Sequence, residues 1–179
     1  MIFFENYFSE ISKSIKSANF NDLEKASNII NEASHNNKKI IIVGNGGSAA
    51  ISSHVAVDFT KAAGIRAINF NEADLITCFA NDYGYENWVS KALKSYSDSG
   101  DVVILISSSG TSMNIINAAN TARDMKNKIL TFSGFASSNP LRSLGDVNFW
   151  IDSTSYNYVE MTHHIWLVAI CDYLISIKS

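Results

Sequence analysis

The run Val102-Val103-Ile104-Leu105-Ile106 places the tightest constraint on this chain. Alternate residues of a strand face opposite ways, so five successive apolar side chains require cover on both faces. Such a strand belongs in a parallel sheet layered between helices. The run leads directly into Ser107-Ser108-Ser109-Gly110-Thr111-Ser112, and Met113, Ile116, Ala119 and Ala122 follow at helical spacing. A turn of this kind presents unpaired backbone N–H groups and the positive end of a helix. Its hydroxyls add further donors, which makes it a site for a phosphate or similar anion. A helix start capped by serine is the simpler alternative, but it needs one hydroxyl rather than five.

The other periodicities complete the pattern. Phe4, Tyr7/Phe8, Ile11 and Ile15 predict an amphipathic helix over 2–18. A second helix is expected from Asn21, with Glu24 closing a capping box, through Leu23, Ala26, Ile29/Ile30 and Ala33. Strands are expected at Lys39–Val43, Arg66–Phe70, Val102–Ile106, Lys128–Phe132 and Val147–Ile151. Between them fall a helix from Ser48 to about Ala62 and helical segments at Asp74–Ala80 and Glu86–Tyr96, parted by Asn81-Asp82-Tyr83-Gly84. A helix to Met125, a short one at Pro140–Leu144 and a last one over Tyr156–Ile177 follow. Alternating strands and helices predict an α/β protein, a three-layer α/β/α sandwich on a five-stranded parallel Rossmann-like sheet. The first helix is extra to such a unit. With no repeat or linker, 1–179 reads as one domain: N-terminal helices over 1–36 and a doubly wound core over 37–179.

Apolar residues at 46% and charged residues at 17% describe an ordinary folded protein. A net charge of −3 without a basic run makes nucleic acid and anionic membrane poor partners. No apolar stretch reaches the ~18 residues of a membrane helix. Met1-Ile2-Phe3-Phe4-Glu5-Asn6 lacks the basic lead of a signal peptide. Cys78 and Cys171 sit in apolar helical patterns and read as core thiols of a reducing compartment, so the expected location is the cytoplasm. The aromatic stripe of the first helix and the nearly all-apolar last helix, Ile165 to Ile170 with Tyr173, Leu174 and Ile175, suggest a homo-oligomer interface. Cover for the sheet of a monomer is the alternative.

In a parallel sheet all strand-to-helix loops share the carboxyl edge, where ligands bind. Asn45-Gly46-Gly47-Ser48 and Ser107 to Ser112 should therefore face one crevice. The first loop also fits the dinucleotide pattern through Gly44, Gly46 and Ala49. That reading wants an acidic residue at the end of the second strand, where Asn69 stands and Glu72 comes after a gap. It also leaves the serine loop unexplained, so no nucleotide cofactor is expected. No Gly-Lys-Ser/Thr follows either loop, which removes the Walker pattern.

Asn45-Gly46-Gly47-Ser48-Ala49-Ala50, His54 with Asp58, Asn81-Asp82-Tyr83-Gly84-Tyr85-Glu86-Asn87 and the serine loop together resemble the sugar isomerase (SIS) fold. More narrowly they resemble the phosphoheptose isomerases, which interconvert sedoheptulose 7-phosphate and a heptose 7-phosphate. The resemblance runs over nearly the whole chain. It implies that Ser107, Ser108, Ser109 and Ser112 hold a sugar phosphate and that Asn45, Gly46, Gly47 and Ser48 line the sugar. It implies substrate contacts for Asn81 and Asp82, a zinc ligand at His54, and a ligand and base at Asp58. It further implies a homotetramer with shared active sites.

Isomerisation of an aldose and a ketose needs a base at carbon and an acid or metal at oxygen. His54 with Asp58, and Glu160 with His164, are both i, i+4 pairs, and imidazole with carboxylate suits zinc. A metal set of His54, Asp58, Glu160 and His164, with Asp58, Glu160 and His164 as catalytic groups, follows as an expectation. Taken singly, a pair of this kind is more often a surface or capped polar pair, and His163 and His164 read equally as interface residues. Three departures from the family stand out: Asp58 replaces a glutamate, Glu160 a glutamine, and Val168 the histidine that transfers a proton. Two functions stay open: a sugar-phosphate isomerase in carbohydrate metabolism, and a non-catalytic phosphosugar-binding module acting as sensor or adaptor.

Overall fold

The computed structural model describes residues 2–178. Its centre is a sheet of five parallel strands in the order β2-β1-β3-β4-β5, formed by β1 (Ile40–Gly44), β2 (Ala67–Asn69), β3 (Val102–Ser107), β4 (Lys128–Ser133) and β5 (Val147–Trp150). The fully apolar strands occupy the middle, where both faces are covered. Ile40, Ile42, Ile104 and Ile106 point into one core with Val55, Phe59, Trp166 and Leu167. Ile41, Val43, Val103 and Leu105 point into the other with Trp88, Leu93, Ile115 and Ala118. The three-layer α/β/α class read from the sequence is the observed architecture.

The layers are built from α2 (Phe20–His35), α3 (Gly47–Lys61) and α7 (Tyr156–Ser176) on one face, and α5 (Trp88–Tyr96) and α6 (Met113–Asp124) on the other. Helix α1 (Ile2–Lys16) lies outside this frame. None of its residues is buried, and Trp166 Nε1 of α7 donates to its Ile15 carbonyl at 2.9 Å. Phe3, Phe4 and Phe8 are left exposed along it.

Three expectations need correction. Helix α2 is capped by Asn19, whose side chain accepts from the Asn21 N–H at 3.0 Å, so Asn21 and Glu24 form no capping box. Helix α4 (Ala73–Tyr83) runs through Asn81 and Asp82 and ends only at Gly84, which has φ +84°. Cys171 is buried, and burial raises its thiol pKa to about 11, but Cys78 is exposed on α4 and is no core thiol. An apolar sequence context could not tell which turn of α4 faced the sheet.

Candidate functional site

Strands β1 and β3 are neighbours, with Gly44 opposite Ile106, so the loops that follow them leave the sheet side by side. Each loop is shaped by glycine. A Cβ on Gly44 would lie 2.5 Å from the Ser48 Cβ, so only glycine lets α3 start so close to its strand. Gly46 has φ +55° and caps α3. Gly110 turns the serine loop at φ +66°, its N–H donating to the Ser107 carbonyl at 2.9 Å. The Asn139 side chain fills the space where a Gly110 Cβ would be.

The two loops are tied by a reciprocal amide pair. Asn45 Nδ2 donates to Asn114 Oδ1 at 3.0 Å, and Asn114 Nδ2 donates back to Asn45 Oδ1 at 2.9 Å. Tyr85 adds its hydroxyl to Asn45 Oδ1 at 3.1 Å. Asn114 is 2% exposed and sits in the first turn of α6. Sequence reasoning did not single it out, although its place two residues after Ser112 faces it toward the same edge.

Between the loops lies a cavity of about 260 Å³, lined by Asn45, Gly46, Gly47 and Ser48, by Ser107, Ser108, Ser109 and Ser112, and by Ile106, Tyr156 and Glu160. Every phosphate-loop and sugar-loop residue expected from the sequence is in that lining. Its donors are arranged for an anion. Ser112 heads α6 without using its side chain as a cap, which leaves the first N–H groups of the helix free of one. Ser107 Oγ donates to Ser112 Oγ at 3.1 Å, and Ser109 Oγ lies 2.9 Å from Thr111 Oγ1. Ser108 is 5% exposed, and among the described residues its hydroxyl has no hydrogen-bond partner. A buried hydroxyl left unpaired costs free energy, and an oxyanion in the cavity would satisfy it.

Glu160 enters this cavity from α7. Its carboxylate occupies the space beside Gly47 where a side chain would otherwise stand. Burial raises its pKa above the ordinary glutamate value. Tyr156, one turn earlier, also lines the cavity and packs on Phe135 with ring centroids 4.9 Å apart.

The remaining candidates gather elsewhere. His54 Nδ1 and His164 Nε2 are 2.7 Å apart, and His54 Nε2 is 3.2 Å from Asp58 Oδ2, a linear Asp–His–His chain across α3 and α7. Burial is the main cause lowering the His164 pKa; the nearby His54 adds to it and Asp58 opposes it. His54 and His164 line a second, mostly apolar cavity of about 360 Å³ with Ile165, Val168, Ala169 and Asp172. Neither His54, Asp58 nor His164 lines the serine-loop cavity. Asn81 and Asp82 are exposed on α4, where Asn81 Nδ2 donates to Asp82 Oδ1 at 2.9 Å, and they do not line it either. From that stretch it is Tyr85 that reaches the site.

Zinc needs three or four donors converging on one point. Among the described residues no group of three His, Cys, Asp or Glu side chains is arranged to hold a metal ion. His54 spends both ring nitrogens on its neighbours, and Glu160 belongs to the other cavity. The four expected ligands therefore do not fit the ion as one set.

Two loops that converge on a cavity at the carboxyl edge of a 2-1-3-4-5 sheet define a doubly wound α/β protein with its ligand crevice at the point where the strand order reverses. The SIS domain family matches residues 3–134, and the chain belongs to it. The proteins it is similar to include phosphoheptose isomerases. That of Aliarcobacter butzleri is 34% identical over 155 residues, covering 83% of this chain and 82% of that protein. That of Helicobacter hepaticus is 32% identical over 160 residues, covering 86% and 81%. The phosphoheptose isomerase structure from Neisseria gonorrhoeae superposes with a TM-score of 0.87 over 96% of both chains, and at 24% identity it shows a shared fold.

Proposed function

We propose that this chain is a sugar-phosphate isomerase that interconverts a ketose phosphate, sedoheptulose 7-phosphate first among candidates, with its aldose. The observation that carries the reading is the meeting of the Gly47 and Ser109 loops on one cavity with an unpaired buried hydroxyl. The relatives named phosphoheptose isomerase support the choice of sugar. In this reading Ser107, Ser108, Ser109 and Ser112 hold the phosphate, and Asn45, Gly46, Gly47 and Ser48 line the open-chain sugar. Fixed donors around the oxygens stabilise the enediolate as its charge develops. Asn81 and Asp82 meet substrate only if it extends past Tyr85. Asp58, His54 and His164 form a polar chain across α3 and α7.

The whole chain acts as one unit, in the cytoplasm, as a homotetramer. The exposed Phe3, Phe4 and Phe8 of α1 and the exposed Met161 and Ile165 of α7 support association. Among the described residues no helix is long and apolar enough to cross a membrane. Incubation with sedoheptulose 7-phosphate tests the reading: an aldose phosphate should form, and Ser107→Ala/Ser109→Ala should abolish its formation. A phosphosugar-binding module without turnover is the second reading, favoured by Val168 in place of the family's proton-transferring histidine. Binding of the sugar phosphate with no aldose formed would select it.

A further inference from the structure

We infer that Glu160 is the group that moves the proton between the two carbons, and that it does so without a metal ion. This rests on the isomerase reading. Of the residues lining the serine-loop cavity, Glu160 alone carries a carboxylate, and no histidine or lysine joins it. The expected base, Asp58, faces His54 instead. Gly47 is the counterpart of this assignment. It stands at the first position of α3, where alanine is a good helix former, yet a Cβ there would run into the Glu160 carboxylate. The missing side chain makes room for that carboxylate between the two loops.

The step balances within substrate and Glu160. The carboxylate takes a proton from C1 of the open-chain ketose. The C–H electron pair becomes the C1–C2 double bond, and the carbonyl pair moves to O2, giving the enediolate. The hydroxyl proton passes from O1 to O2, and protonated Glu160 returns a proton to C2, leaving the aldehyde at C1. No co-reactant is consumed. Glu160 is only half-buried, so the proton it carries can trade with solvent between abstraction and return.

The test is a variant series on the full-length protein with sedoheptulose 7-phosphate in deuterated water, following C1 hydrogen exchange by proton NMR and binding by calorimetry. Glu160→Gln should lower both exchange and aldose formation by about 10³-fold, with binding of the sugar phosphate retained. Gly47→Ala should lower turnover in the wild-type background and add nothing on top of Glu160→Gln. Chelation that strips all metal, verified by elemental analysis, should leave the rate unchanged. Wild-type turnover that survives Glu160→Gln, or that is lost on chelation and restored by zinc, overturns the assignment and leaves the isomerase reading intact. A wild-type chain that exchanges no C1 hydrogen overturns both.

Discussion

The serine-loop cavity and the Asp58–His54–His164 chain lie beside the same two helices, yet they are built in opposite ways. The cavity's two loops work close to the main chain: glycines at positive φ, a helix start without a side-chain cap, and serine hydroxyls on the shortest of polar side chains. The histidine chain is made of long side chains meeting between α3 and α7, with the His54 side chain 53% exposed. The first is fixed as soon as the sheet forms. The second depends on how two helices settle.

The largest separation between the two should appear on removing hydroxyls. Ser107→Ala/Ser109→Ala deletes two charge-assisted hydrogen bonds, which should weaken sugar-phosphate binding by ~3 kcal/mol, on the order of a hundredfold, by calorimetric titration. His54→Ala should leave that affinity within about twofold, since His54 does not line the serine-loop cavity.

The next effect belongs to the helix that serves both regions. His163 is fully buried, with Nε2 donating to the Ser133 carbonyl at 3.1 Å and Nδ1 unpartnered. Burial lowers its pKa to about 4, well under the ordinary value near 6.5. The unfolded chain therefore takes up this proton first as pH falls. Stability should be intact above pH 6.5, decline between 6.5 and 4, and level off below, a loss of about 3 kcal/mol from a shift of this size. Denaturant melts across that range check it. His163→Leu should flatten the slope, leaving the smaller share from His164, whose pKa is lowered in the same direction.

Asn114→Ala should come third. It leaves Asn45 with one amide partner fewer and costs roughly 1–3 kcal/mol of stability, with a raised KM because the two loops lose their tie. The smallest effect is expected from metal removal: exhaustive chelation should leave the melting temperature unchanged. A drop reversed by zinc would show that the histidine region closes around an ion after all, and the contrast between the two regions would narrow.

The same contrast explains what could be read from the sequence. Val102–Ile106 and Lys39–Val43 announce a doubly covered sheet because no alternation offers a wet face. The two loops were legible because glycine and serine carry their function at the backbone. That Glu160 and His164 open into different cavities was not legible, although the i, i+4 spacing was plain. Four residues advance a helix by ~6 Å, enough for two side chains on one face to open into different cavities. Asn81 and Asp82 failed for a related reason. Where α4 ends decides whether they sit in a loop at the pocket or on a helix outside it, and only Gly84 decides that.

Helix α7 is held at several depths: the Trp166 indole donates to Ile15, the His163 ring to Ser133, and the Thr162 hydroxyl to Tyr158 within the helix itself. Ser133 closes the strand next to the one that leads into the serine loop, so the helix bearing Glu160 and that loop share one frame. The protein is in that sense a ruler. In the proposed reading, a sugar phosphate of a different length would bring a different carbon to the Glu160 carboxylate.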